Sequence, residues 1–322
     1  MSKTPSTPFV GRARESAVLH DAINAMRVGR GSVVLVSGSA GLGKTALVES
    51  ACREAAAGGA LVLTGRSYDL TETPPCGPWV ELLAGYPRDP ELPRLEPEVA
   101  RCGIAGGMAS QDDLFAAILG LLREAARRRP IVLFLDDLHW FDRASLDLFR
   151  TLARQIANDP ILLVGTHRND DLASGHPFHD LLPAVVREAR PIRLALQPLT
   201  SDDVWRLVRH RFPLAPNDET RLAAYLFGRT DGHPFFIDEM IHSLLASRVL
   251  RAEASHWTLG DLESVAIPPL VSQLVASRLA RLGADSLPVL AVAATIGLEV
   301  SLALWPEVAG VDDESLLVVC HR

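Results

Sequence analysis

Apolar positions at Val18, Leu19, Ala22, Ile23 and Met26 recur three and four residues apart, which predicts an amphipathic helix closed by Gly29 and Gly31. Ser32–Ser37 reads Ser-Val-Val-Leu-Val-Ser. An apolar run without alternation predicts a strand covered on both faces. A helix follows over about 45–57, then a short strand over 61–64. Residues 68–98 are rich in proline and read as a loop with one short helix. Ser110-Gln111-Asp112-Asp113 has capping-box spacing ahead of a helix over 114–126, which Pro130 ends. Three further strands are predicted at 131–135, 161–165 and 192–196, with a helix carrying Leu146, Phe149, Leu152 and Ile156 between the first two. Strands alternating with helices predict an α/β fold, a three-layer domain with a mostly parallel five-stranded sheet.

The strand signal stops after Pro198. Thr200-Ser201-Asp202-Asp203 repeats the capping-box spacing, and helical patterns cover 202–211, 218–227, 234–247, 268–282 and 285–296. The expected division is a nucleotide-binding domain over 1–197, a helical lid over 198–263 and a third segment over 264–322.

Composition narrows the function classes. At 322 residues, 48% hydrophobic and 22% charged, the chain is an ordinary globular one rather than a disordered one. A net charge of −7 provides no general field for nucleic acid phosphates. The stretch Leu287–Leu298 is shorter than the roughly 18–20 residues of a bilayer span and is expected to be a buried helix. Residues 1–8 lack the apolar centre of a secretory signal. Cys52, Cys76, Cys102 and Cys320 stand far apart with no C-x-x-C, which argues against a disulfide framework or a thiolate zinc site and fits a reducing cytoplasm. Of 32 basic residues only Lys3 and Lys44 are lysine. In an arginine-biased chain, an internal lysine marks a place where arginine does not fit.

Gly38-Ser39-Ala40-Gly41-Leu42-Gly43-Lys44-Thr45 matches G-x-x-x-x-G-K-[ST] between a predicted strand and a predicted helix, the context this phosphate-binding loop requires. Its glycines let backbone N–H groups turn toward phosphate oxygens, and the helix start, with Ala46, adds partial positive charge. Lys44 is a compact charge for the β- and γ-phosphates, where a planar guanidinium fork would be too wide. Thr45 offers a hydroxyl to Mg²⁺. The apolar strand 131–135 delivers Asp136 and Asp137 to the edge where open α/β sheets bind ligands. Asp136 suits the Mg²⁺, and Asp137 suits orientation or deprotonation of an attacking water. Thr166-His167-Arg168 ends the next strand, where Arg168 would reach the γ-phosphate.

These pieces together resemble a known family. Phe9-Val10-Gly11-Arg12 with Glu15, the P-loop, Gly65-Arg66-Ser67-Tyr68, Pro78-Trp79, Leu135-Asp136-Asp137-Leu138-His139-Trp140 with Asp142, Gly165-Thr166-His167-Arg168 and Gly232-His233-Pro234-Phe235-Phe236 form one series. The series is similar to the STAND class of AAA+-related P-loop signal-transduction ATPases. Its nearest likeness is the ATPase module of large LuxR-type, maltose-regulator-like transcriptional regulators, over roughly 7–300. The resemblance implies that Val10, Gly11 and Arg12 lie near adenine, that Arg168 senses the γ-phosphate, and that Pro234 packs by adenine. His233 stands where asparagine is commoner, and reads either as a helix-entry residue or as a nucleotide sensor. The resemblance also implies a winged helix over 264–322, ATP or ADP with Mg²⁺ as cofactors, and self-association in the ATP state. Downstream sensor repeats and a DNA-binding output domain are expected outside this chain, which has room for neither. Direct DNA binding by this segment and membrane association are not expected.

Other residues read more simply. Arg127-Arg128-Arg129 complements a helix C-terminus. His139 and Trp140 shape a loop, and His176 with His179 lacks a third metal ligand. Several functions remain open at this level: an ATP-dependent switch with slow hydrolysis, the same module serving a nucleotide cyclase or protein kinase, or a non-hydrolysing scaffold. A metabolic P-loop kinase is disfavoured by the paired aspartates, and a GTPase by the absence of Asn-Lys-x-Asp.

Overall fold

The computed structural model describes residues 10–67, 75–102, 110–168, 177–253, 256–265, 268–283, 286–297, 300–302, 304–313 and 316–317. Chain contacts divide it into two compact units, Met1–Phe235 and Phe236–Arg322.

The first unit alternates helix and strand: α1 (Ala13–Arg27), β1 (Ser32–Ser37), α2 (Lys44–Ala57), β2 (Leu61–Arg66), α3 (Gly77–Ala84), α4 (Pro97–Ala100), α5 (Gln111–Ala126), β3 (Ile131–Asp136), α6 (Arg143–Gln155), β4 (Ile161–His167), α7 (Pro177–Ala189), β5 (Ile192–Ala195), α8 (Ser201–Arg211) and α9 (Pro216–Thr230). All five strands are parallel, in the order β2-β3-β4-β1-β5. Burial follows that order. Every residue of the central strands β3 and β4 is buried, the edge strand β2 alternates, and β5 buries one residue of four. Alternate residues of β1 serve opposite layers. Val33 and Leu35 pack with α3, α5, α6 and α7 around Trp79, Leu122 and Phe149, while Val34 and Val36 pack with α1 and α2 around Ile23, Met26 and Leu47. The expected α/β three-layer arrangement is the one observed.

Helix starts are fixed by short polar side chains. Ser110 accepts from Asp113 N at 3.2 Å ahead of α5, Asp142 accepts from Ser145 N at 3.0 Å ahead of α6, and Thr200 forms a full capping box with Asp203 ahead of α8.

The second unit takes up α10 (Pro234–Ala246), which begins at the end of the first, then β6 (Leu250–Glu253), β7 (His256–Leu259), α11 (Pro269–Arg281), α12 (Leu287–Ile296) and α13 (Trp305–Ala309). Three expectations change. Strands β6 and β7 pair antiparallel in the region expected to be largely helical, where no strand was predicted. They are short and only Leu250 is buried, so no apolar run announces them. Helix α12 is not buried, since Leu287 is 43% exposed and only Val289 is inside. The proline-rich stretch holds two helices, α3 and α4, rather than one. Among the described residues, 264–322 shows helices alone, and no helix is long and apolar enough to cross a membrane. The winged-helix assignment and the boundaries at 198 and 264 stand as proposals. Phe9, Tyr68, His176 and Cys320 lie outside the described residues.

Candidate functional site

The P-loop joins β1 to α2 at the C-terminal edge of the sheet. Gly41 and Gly43 take φ of 79° and 87°, a conformation L side chains rarely adopt, and Gly43 is the cap of α2. The first residues of α2 are Lys44, Thr45 and Ala46, whose N–H groups have no intrahelical acceptor. Gly38, with φ 149°, approaches the Leu196 carbonyl and Leu42 too closely for a Cβ to sit at ease. Lys44 is buried, and its Nζ donates to the carbonyls of Gly38 at 2.8 Å and Ser39 at 2.9 Å.

The paired aspartates arrive from β3 beside this loop. Thr45 Oγ1 lies 3.1 and 3.0 Å from the two carboxylate oxygens of Asp136. Parallel register sets Thr166 of β4 next to them, and its hydroxyl is the hinge of the cluster. Thr166 Oγ1 donates to Asp136 Oδ1 at 2.6 Å and accepts from Asp137 N at 2.8 Å, with no exposure to solvent. Sequence reasoning passed over Thr166 in favour of Arg168; its signal was its place one residue beyond the point where β4 runs level with Leu135.

Asp137 adopts φ 59° and ψ 55°, left-handed for a residue with a Cβ. Such a conformation costs about 1–3 kcal/mol and survives where the surroundings over-determine it. Burial, and next the charge of Asp136, push the Asp137 carboxyl above the usual carboxylate range, while Arg168 and Lys44 pull it back. Arg168 is therefore within electrostatic reach of Asp137. His139 Nδ1 stands 3.8 Å from Asp137 Oδ1 in a buried position, and the Trp140 carbonyl accepts from Ser67 Oγ at 2.9 Å, so both residues shape the loop after β3. Burial holds His167 below the ordinary histidine range, and its ring centroid is 5.0 Å from that of Phe178.

On the other side of the loop lie the segments that the resemblance places by adenine. Arg12 is buried, which lowers its pKa, and its Nη2 donates to the Leu42 carbonyl at 3.2 Å. Gly11, at φ 80°, would bring a Cβ to 2.6 Å from Leu199 Cδ2. Val10 precedes it, half-buried. Leu199 N donates to the Gly232 carbonyl at 2.8 Å. His233 Nε2 pairs with the Ala40 carbonyl at 3.0 Å, and Phe235 N donates to the Gly41 carbonyl at 3.3 Å, so Pro234 is held between two residues that touch the P-loop. His233 thus stands at the entry to α10 and also bonds to the P-loop.

The oxygen donors suit a hard cation. Thr45 and Asp136 offer a hydroxyl and a carboxylate in contact, the set expected of Mg²⁺ rather than of a softer metal. Among the described residues no group of three or more His, Cys, Asp or Glu forms a separate metal cluster.

A glycine nest at a helix start, an ammonium, and a hydroxyl–carboxylate pair at the edge of a parallel sheet define a P-loop nucleotide-binding domain. Residues 8–164 match the family described as AAA ATPase domain, a span that holds the P-loop and both aspartates. The chain is 28% identical over 338 aligned positions to "Uncharacterized protein R02095" of Rhizobium meliloti (strain 1021), covering 92% of this chain and 30% of that protein. It spans less than a third of that relative's length. Among solved structures, a variant of Thermotoga maritima RuvB has 18% identity and a TM-score of 0.44 over 96% of this chain and 85% of its own. A Signal Transduction ATPase with Numerous Domains (STAND) protein with a tetratricopeptide repeat sensor, from Pyrococcus horikoshii, has 19% identity and a TM-score of 0.42 over 72% of this chain and 29% of its own.

Proposed function

We propose that this chain is an ATP-binding, slowly hydrolysing switch module of the signal-transduction ATPase kind, forming the N-terminal part of a LuxR-type transcriptional regulator. The observation that carries the ATPase reading is the contact of Thr45 with Asp136, which brings two motifs 91 positions apart to hydrogen-bonding distance. On this reading the backbone of Gly38, Ser39, Ala40, Gly41, Leu42 and Gly43 and the N–H groups of Lys44, Thr45 and Ala46 wrap the β- and γ-phosphates. Thr45 and Asp136 hold Mg²⁺, which when bound neutralises phosphate charge. Asp137 takes a proton from water as the water oxygen bonds to the γ-phosphorus and the bond to the ADP oxygen breaks. Its carboxyl, more basic than usual, suits that role. Arg168 binds the γ-phosphate, and Val10, Gly11, Arg12 and Pro234 flank adenine.

The regulator context rests on the resemblance of the Leu135–Trp140 string. The downstream sensor and output domains, self-association in the ATP state and a cytoplasmic location belong to the same proposal. Asp137→Asn tests it: ATP should bind as in the parent while phosphate release falls by ~10²–10⁴. Limited proteolysis over 198–235 should differ between ATP and ADP in the parent and stay ATP-like in the variant. One digestion pattern with ATP, with ADP and without nucleotide would remove the switch.

A further inference from the structure

The chain from the end of α3 through α4 walls a cavity of about 790 Å³, and none of its lining residues belongs to the phosphate site. Small-molecule sites commonly enclose roughly 300–1,000 Å³. The floor is apolar, since Leu83, Tyr86 and Leu92 are buried in the core of the first unit and also line the cavity. The wall is stiff. Pro87, Pro90, Pro93 and Pro97 fix φ and offer no N–H, so 87–97 cannot continue α3 as a helix. Tyr86 Oη donates to the Pro93 carbonyl at 3.1 Å and closes the loop between them. A wall held in this way keeps the space open instead of folding into it.

Charge marks the occupant. Arg88, Arg94 and Arg101 line the same cavity and are exposed. Among the described residues none of the three has an ion pair, whereas Arg123, Arg129 and Arg150 each have a carboxylate partner. Asp89 is the one acid in the described lining, and both its oxygens are engaged. Its Oδ1 accepts from Glu91 N at 3.0 Å, and its Oδ2 lies 3.8 Å from Arg129 Nη1. In a chain of net charge −7, three such guanidiniums beside an apolar floor make a local positive field. Arginine's planar fork takes carboxylate and phosphate oxygens two at a time. We propose that this cavity is a binding site for a small organic anion, a short apolar body carrying a carboxylate or phosphate head.

The body lies on Leu83, Tyr86 and Leu92, and the head is met by the arginines. Helix α3, which carries Leu83, is tied to the chain just past the paired aspartates. Cys76 N–H donates to Asp142 Oδ2 at 3.1 Å, and Trp79 Nε1 donates to the Ser145 carbonyl at 3.0 Å. On the ATPase reading above, an occupant therefore bears on phosphate release. Its binding does not depend on that reading.

The test follows hydrogen exchange over 80–101 in the full chain against rising concentrations of octanoate, octyl phosphate and octanol, each below its micelle concentration. At least one anion should slow exchange there and half-saturate ~10-fold or more below octanol, and the tighter of the two identifies the head. Arg94→Glu combined with Arg101→Glu, both at exposed positions, should weaken that anion ~10-fold or more, whereas Arg206→Glu on α8 should not. Ala84→Trp sets a large ring at an exposed lining position and should remove the effect. Octanol acting as tightly as the anions, equal affinity in the doubly reversed variant, retained binding in Ala84→Trp, or no slowing with either anion at millimolar concentration would overturn the proposal. None of these outcomes touches the ATPase reading, which phosphate release tests separately.

Discussion

Replacing Thr166 by valine removes one oxygen and keeps the shape of a side chain with no solvent exposure. That oxygen makes two bonds, accepting from Asp137 N at 2.8 Å and donating to Asp136 Oδ1 at 2.6 Å. Without it a buried amide is orphaned, at about 1–3 kcal/mol, and a charge-assisted bond is lost, at about 1.5–3 kcal/mol. The two share one atom and do not add fully, so the expected loss is roughly 2–4 kcal/mol. For a unit of this size that is about 5–15 °C in melting temperature. Thr166→Ser keeps both bonds and gives up a methyl, at about 1 kcal/mol. The local readout is hydrogen exchange across peptides spanning 134–141. Protection at Asp137 should fall at least ~10-fold in Thr166→Val and stay near the parent in Thr166→Ser. Phosphate release should fall ~10–100-fold in the valine variant, because the aspartates lose the group that orients them. Equal exchange in the two variants would show that the hydroxyl does not hold the cluster together, and the account of the site would have to change.

Other outcomes follow from the same geometry. Lys44→Ala should abolish ATP binding in calorimetry and Lys44→Arg should bind poorly, since a planar fork does not fit where Nζ reaches Gly38 and Ser39; parent-like affinity in both would remove the phosphate assignment. Arg168→Ala should narrow the difference between ATP and ADP affinities, because the residue acts only on the third phosphate; an unchanged ratio would reassign it to the surface. Gly41→Ala forces a Cβ to 2.8 Å from His233 Cε1 and Phe235 Cβ at a φ of 79°. It should destabilise the first unit by about 1–3 kcal/mol in urea unfolding and expose 230–235 to protease, and an unchanged midpoint would mean that the segment does not rest on the loop.

The sequence by itself determined the elements and the phosphate loop. Apolar runs at 32–37, 131–135 and 161–165 read as strands covered on both faces, because a chain cannot leave that much apolar surface wet, and the glycine–lysine–threonine spacing sits between a strand and a helix. Helix starts at 110 and 200 were legible for the same reason, since a cap depends on residues three apart. What only the tertiary structure decided involves residues distant along the chain. Strand order and register put Thr166 between Asp136 and Asp137, and the fold seated His233 on Ala40. The pair β6 and β7 was missed because weakly buried strands leave little hydrophobic pattern to read, whereas α12 was expected inside because its residues are almost all apolar, and apolar composition does not say that a neighbour covers them. Local spacing encodes which backbone conformation each stretch prefers, whereas the meeting of groups 30 or 193 positions apart depends on how whole layers pack, and no window of sequence contains that sum.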